Sequence, residues 1–296
     1  MPDRIVSARS SDGSIAITAG ITTELIREIQ RRHALAPTAS AALGRLVSGA
    51  ALLAAGMKGQ GRLSLQISST GPLRGLVADV SAAGPGEIGA RGYCYEPAVD
   101  LPLNERGKLD VGKAVGKGRL QVTRSFEVGQ PYMGVVPLAT GEIGDDIARY
   151  LFDSEQVASV VALGVLVNSQ GVKASGGVIA QLLPGADERT IARVEEQAQK
   201  MAPVTTQIEN GAGADDLARA LAGPLDLKFI GETSVRFACR CTRERVETAF
   251  ISLGRDELVE IASEQIQTEA ICEFCKQQYL LSRDEVRALI ARLDAS

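Results

Sequence analysis

Four of the chain's five cysteines fall in one stretch, as Cys239-Arg-Cys241 and, about thirty residues on, Cys272-Glu-Phe-Cys275. Two close thiol pairs on a spacer that can fold back on itself suit a tetrahedral four-sulfur zinc site, in which thiolates bind at ~2.3 Å. Each pair could instead close as a disulfide, and the spacing leaves both chemistries open. A purely structural zinc module is the plainer alternative. Two features favour reactivity. The first pair is Cys-x-Cys where ordinary zinc ribbons use Cys-x-x-Cys, and a disulfide across one residue is strained and easily reduced. Arg240, Arg243 and Arg245 would also favour thiolate once a metal has left.

Other residues that could do chemistry are weaker candidates. The single histidine, His33, ends a helical pattern with no nucleophile motif nearby, and fits a helix C-terminal residue favoured by the dipole. Cys94 lies between Tyr93 and Tyr95 on an expected strand and is read as a packed small residue. Gly107 to Ala114 imitates a phosphate-binding loop, but Ala114 lacks the hydroxyl that would hold magnesium and no apolar strand precedes it. Asp145-Asp146 and Glu195-Glu196 occupy adjacent helical positions that do not share a face, and are expected to be solvated charges.

The elements that must position the cysteines come next. At 296 residues, with 45% hydrophobic content, the chain is long enough for about two domains. Strands are expected over 4–20, a helix from Thr22 or Thr23 to a stop at Pro37, and an apolar helix over about 38–58. Strands follow at 63–67, 76–80, 88–95, 120–126 and 132–138, a helix at 141–154, and buried strands at 157–167 and 177–183. Residues 1–184 therefore read as one α/β core domain, mainly antiparallel sheet with packed helices. Residues 185–230 read as a helical linker with too little apolar surface for its own core, its stripe at Ile191, Val194 and Ala198 borrowing a surface from the first domain. Residues 231–296 read as a small C-terminal zinc-binding domain that needs a staple, with Ser282 and Glu285 capping its last helix.

Composition excludes several classes. A net charge of −4, and eight basic against eleven acidic residues from Phe237 onward, argue against a nucleic-acid partner. The longest apolar run, Leu46 to Met57, is short of the ~20 residues that span a bilayer, so no membrane partner is expected. The start of the chain has no apolar signal region, and the expectation is a cytoplasmic protein whose paired cysteines hold metal or do redox chemistry.

The run Val235-Arg-Phe-Ala-Cys239-Arg-Cys241-Thr-Arg-Glu-Arg-Val246, with Cys272 to Cys275 downstream, resembles the bacterial heat-shock protein 33 family. So do Thr70-Gly-Pro-Leu-Arg-Gly-Leu-Val-Ala-Asp79, Pro131-Tyr-Met-Gly-Val-Val-Pro137, Thr140-Gly-Glu-Ile143, Ser154-Glu-Gln156 and Gly176-Gly-Val-Ile-Ala-Gln-Leu-Leu-Pro-Gly185. The resemblance implies an ATP-independent holdase chaperone, not an enzyme, with one Zn2+ on Cys239, Cys241, Cys272 and Cys275 in the reduced, inactive state. It further implies Cys239–Cys241 and Cys272–Cys275 disulfides on oxidation, zinc release, homodimerisation, binding of unfolded client proteins and hand-off to ATP-dependent chaperones. One departure is Lys276, where the family usually has glycine. The competing readings are a thiol-disulfide oxidoreductase and a constitutive structural-zinc adaptor.

Overall fold

Alternating apolar residues within the first 21 positions build a hairpin, β1 (Arg4–Ser10) and β2 (Ile15–Ile21), around a turn at Gly13. The computed structural model describes residues 2–57, 61–126 and 129–294. Helix α1 (Thr23–His33) follows, and Pro37, expected only to stop it, occupies the first position of α2 (Pro37–Ala55). Proline suits that position because its missing N–H would have no intrahelical partner. Helix α2 is long and apolar enough to cross a membrane, yet its residues are almost all buried within the fold.

The chain then lays down β3 (Gly61–Ser69), β4 (Gly75–Gly84), β5 (Glu87–Cys94), a short α3 (Val111–Val115), β6 (Gly118–Phe126), β7 (Tyr132–Pro137), α4 (Ile143–Glu155), β8 (Ser159–Asn168) and β9 (Gly171–Leu182). Three helices, α5 (Glu188–Lys200), α6 (Val204–Glu209) and α7 (Ala214–Ala222), lead into β10 (Leu227–Phe237). The ten strands form one sheet in the order β7-β6-β3-β4-β5-β10-β1-β2-β9-β8. Every neighbouring pair is antiparallel except β10 and β5, which run parallel over Ser234–Phe237. This is an α+β fold with a large sheet.

The sheet carries a core on each face. On one, α1 to α4 pack through Leu25, Ile26, Leu43, Leu46, Ile147 and Tyr150. On the other, α7 packs through Leu217, Ala218 and Leu221 onto Val6, Ile15, Ile17 and Val178, joined by Val194 of α5 and Val204 of α6. Ala198 lies half-buried against this second core. The Ile191 side chain, expected on the same stripe, lies outside the described residues. Arg4 ties α7 down through an ion pair to Asp215 at 2.6 Å, and Gln197 of α5 donates to the Ala220 carbonyl of α7 at 2.9 Å.

Three expectations need correction. The chain divides into two compact units between Ala238 and Cys239, not at residue 231. The reason is β10, which inserts between β5 and β1 and keeps residues 227–237 in the large sheet. Asp146 is no solvated charge. It is fully buried, and its Oδ1 accepts the Ala139 and Thr140 amides at 2.7 and 3.2 Å ahead of α4, while Asp145 takes the Thr140 hydroxyl at 3.0 Å. Neither Thr22 nor Thr23 caps α1 from its own turn. The Thr22 hydroxyl lies in a buried cluster with Ser48 and Ser175, and Asp3 reaches over from the start of β1 to accept the Glu24 and Leu25 amides at 3.1 and 2.7 Å.

Candidate metal centre

The unit from Cys239 onward is built of α8 (Arg243–Ile251), α9 (Arg255–Glu264), the hairpin β11 (Gln267–Ile271) and β12 (Gln278–Ser282), and α10 (Arg283–Asp294). Thr242 caps α8 by accepting the Arg245 amide. Ser282 and Glu285 exchange the expected reciprocal bonds at the start of α10, at 3.4 and 2.8 Å. The core is small: Phe250, Leu258, Ala262, Leu281, Val286 and Leu289 are its buried side chains. Nothing in the sequence periodicity marked α9 or the hairpin, in whose strands only Leu281 is fully buried.

The hairpin is what places the second cysteine pair. Ile271 faces Gln278 in register, so Cys272 to Cys275 form its tip. The turn closes with Lys276 N–H donating to the Cys272 carbonyl at 2.8 Å and Cys272 N–H donating to that of Gln277 at 2.9 Å. Lys276 sits at φ +58°, in the left-handed region that glycine favours. The first pair lies in the extended segment before Thr242 and comes alongside this tip. Cys239 Sγ is 3.7 Å from Cys272 Sγ, and Cys241 Sγ is 3.3 Å from Cys275 Sγ. All four sulfurs lie within 4.8 Å of one another, so proximity alone selects no disulfide pairing.

A cluster of four soft sulfur donors, with no carboxylate or imidazole among them, is compatible with zinc. Burial pushes the thiols of Cys272 and Cys275 up, while backbone N–H groups of Cys275 and Phe274 facing Cys272, and of Gln277 facing Cys275, favour the ionised form. A bound divalent cation reverses the first effect and reinforces the second, since it takes thiolates and displaces their protons. Two of the three arginines expected to favour thiolate, Arg243 and Arg245, are otherwise engaged. Arg243 is held by Glu247, Glu285 and the Leu280 carbonyl, and Arg245 donates to the Arg240 carbonyl at 3.0 Å.

The model for the family described as Hsp33 protein matches residues 3–282. The chain belongs to this family. It is 41% identical to a 33 kDa chaperonin of Synechococcus sp. (strain JA-3-3Ab) over 299 residues, covering all of this chain and 92% of that one. It is 40% identical to the 33 kDa chaperonin of Clostridium acetobutylicum, with 99% of each chain covered. The crystal structure of the 33 kDa chaperonin (heat shock protein 33 homolog) of Thermotoga maritima superposes with a TM-score of 0.90 at 30% identity over the full length of both chains. Membership of the Hsp33 family supports a chaperone function, and the four-cysteine cluster fits it.

One residue of this Hsp33 chain's cluster escaped the sequence reading. Tyr279, on β12, donates its hydroxyl to Cys241 Sγ at 3.2 Å. That hydrogen bond, with the surrounding sulfurs, pushes the Tyr279 hydroxyl up to about 12, so it stays protonated and a donor. Only the antiparallel return of β12 brings a residue four positions past Cys275 against the other pair. Cys94, by contrast, is buried at the end of β5 in the first unit's core, as expected of a packing residue.

Proposed function

We propose that this chain is a redox-regulated, ATP-independent holdase. In the reducing cytoplasm Cys239, Cys241, Cys272 and Cys275 hold one Zn2+ and the chaperone is off. Oxidation forms Cys239–Cys241 and Cys272–Cys275 disulfides and releases the metal. The observation that carries this reading is the convergence of four sulfurs in a unit whose core, among the described residues, has six buried apolar side chains. Structural zinc contributes about 10–16 kcal/mol in small zinc modules, as much as the whole stability of an ordinary domain. Losing it melts the unit.

Helices α5 to α7 then form the metastable linker. They have no core of their own and depend on the sheet residues Val6, Ile15, Ile17 and Val178 for burial. Their undocking bares both that face and the apolar side of α7, and exposed apolar surface is what captures unfolded client chains. Activated chains form homodimers, and clients pass to ATP-dependent chaperones after reduction.

The test is light scattering from a heat-aggregating client. Peroxide-treated protein should suppress aggregation and the reduced, zinc-loaded protein should not. Equal suppression by both forms rejects the switch, and turnover of insulin disulfides by the reduced protein would favour an oxidoreductase instead.

A further inference from the structure

We propose that the first unit carries a binding site for a small zwitterion, an α-amino acid with an apolar side chain, in a cavity at the C-terminal end of α2. The cavity measures about 290 Å3. Strand β6 lies second from one end of the ten-stranded sheet and β9 second from the other, yet Arg124 and Phe126 of β6 line the cavity together with Ile179 and Gln181 of β9. The sheet thus curls round α2, and the cavity is the mouth left where its two margins approach without pairing. Mouths of this kind are common ligand sites in barrel-like sheets.

The wall is charged in one place. Arg124 Nη2 lies 2.6 Å from Glu155 Oε1, and the two side chains keep 22% and 15% of their exposure, so solvent screens this pair less than one on the surface. A guanidinium has five N–H groups and a carboxylate about four acceptor sites, so both retain capacity for a ligand. Thr18 and Gln181 add a neutral hydroxyl and amide to the lining, and Leu52, Met57, Phe126 and Ile179 make it largely apolar elsewhere. The end of α4 is fixed where it presents Glu155: the Tyr132 hydroxyl and Ser154 Oγ lie 3.0 Å apart, and at Gly134 a side chain would come 2.5 Å from Ser154 Oγ. Two stretches that carry the family resemblance, 131–137 and 154–156, meet here, and neither contains a cysteine.

Charge and size choose the ligand. An anion on Arg124 meets Glu155, and a cation on Glu155 meets Arg124, so a ligand with one charge gains on one side and loses on the other. An α-amino acid carries both charges on one carbon, close enough for its carboxylate to meet the guanidinium while its ammonium meets Glu155. At about 30 Å3 per water the cavity holds about ten waters' worth, which suits a molecule of about ten non-hydrogen atoms. Leucine and methionine have that size, and their side chains match the apolar lining.

The experiment titrates the whole reduced chain by calorimetry with L-leucine and L-methionine, and with 4-methylpentanoate and 3-methylbutylamine, which lack leucine's ammonium and carboxylate in turn. Leucine should bind with a Kd of about 1 mM or tighter, and each analogue about tenfold or more weakly. Absence of binding by both amino acids up to about 10 mM overturns the proposal, as does either analogue binding as well as leucine. Location is read in the wild-type chain from isotope-labelled methionine methyl groups. Leucine should move the Met57 resonance and leave those of Met133 and Met201 in place, and an unmoved Met57 overturns the proposal. The double variant Arg124→Met, Glu155→Met removes the pair without leaving a lone buried charge. It should bind leucine about tenfold or more weakly, and binding at wild-type strength overturns the proposal. Should the double variant not fold, the Met57 resonance of the wild type decides.

Discussion

Lys276 holds a left-handed backbone at φ +58° in a turn whose two cross-turn hydrogen bonds involve the amide and carbonyl of Cys272. A side chain in that region costs roughly 1–2 kcal/mol, which glycine avoids. The Lys276–Glu273 ion pair is exposed and offsets little of it. Lys276→Gly should therefore stabilise the zinc-loaded unit by up to about 1 kcal/mol, after the extra chain entropy of glycine is counted. A rise in its thermal midpoint checks this, and a fall would show that the lysine side chain matters more than the backbone. The site was legible in the sequence at this scale because cysteine spacing is local. The positive φ at 276 was legible too, from the glycine expected there. Tyr279 was not, since its partner Cys241 lies 38 positions away and only a strand pairing joins them.

At the scale of elements, most strands and helices followed their periodicity, and those that did not were shaped by distant partners. Strand β10 shows why. Its pairing with β1 slips by one residue between Phe229 and Gly231, leaving Ile230 bulged and exposed. Leu227 and Phe229 serve one core and Val235 and Phe237 the other, so the sequence carries no single alternation to read. Helix α1 is a second case, capped by Asp3 from across the hairpin and not by its own threonines. Burial pushes the Asp3 carboxyl up to about 6, against the two amide bonds that favour its charge. Between about pH 4 and 6 the folded chain keeps that proton while the unfolded chain releases it, so folding stability falls as pH rises through this window. Relative to wild type, Asp3→Asn should gain on the order of 2 kcal/mol between pH 4 and 7. Urea unfolding followed by circular dichroism at each pH measures the difference, and a constant gap would reject the assignment.

At the scale of the molecule, the unit boundary at Ala238 and Cys239 bears on how far release of the metal reaches. Strand β10 is hydrogen-bonded on both sides, to β1 and to β5, and Ala238 N–H still donates to the Ala90 carbonyl at 3.1 Å. Unfolding that passed Phe237 would split the sheet. After peroxide treatment and zinc removal, hydrogen exchange should be fast over 243–294 and stay slow over 227–237. Fast exchange over 227–237 would show that the large sheet opens with the second unit. On this account α5 to α7 leave the sheet as a loop held at both ends by β9 and β10.

The place of β10 also bears on how the chain is made. Its neighbours β1 and β5 are complete by residue 94, but the strand that joins them ends at Phe237. While a ribosome adds the intervening residues, both neighbours present unsatisfied edges, and the contacts that close them are among the longest-range in the molecule. The nascent chain passes through a stage with two open strand edges, which is the condition in which other proteins aggregate.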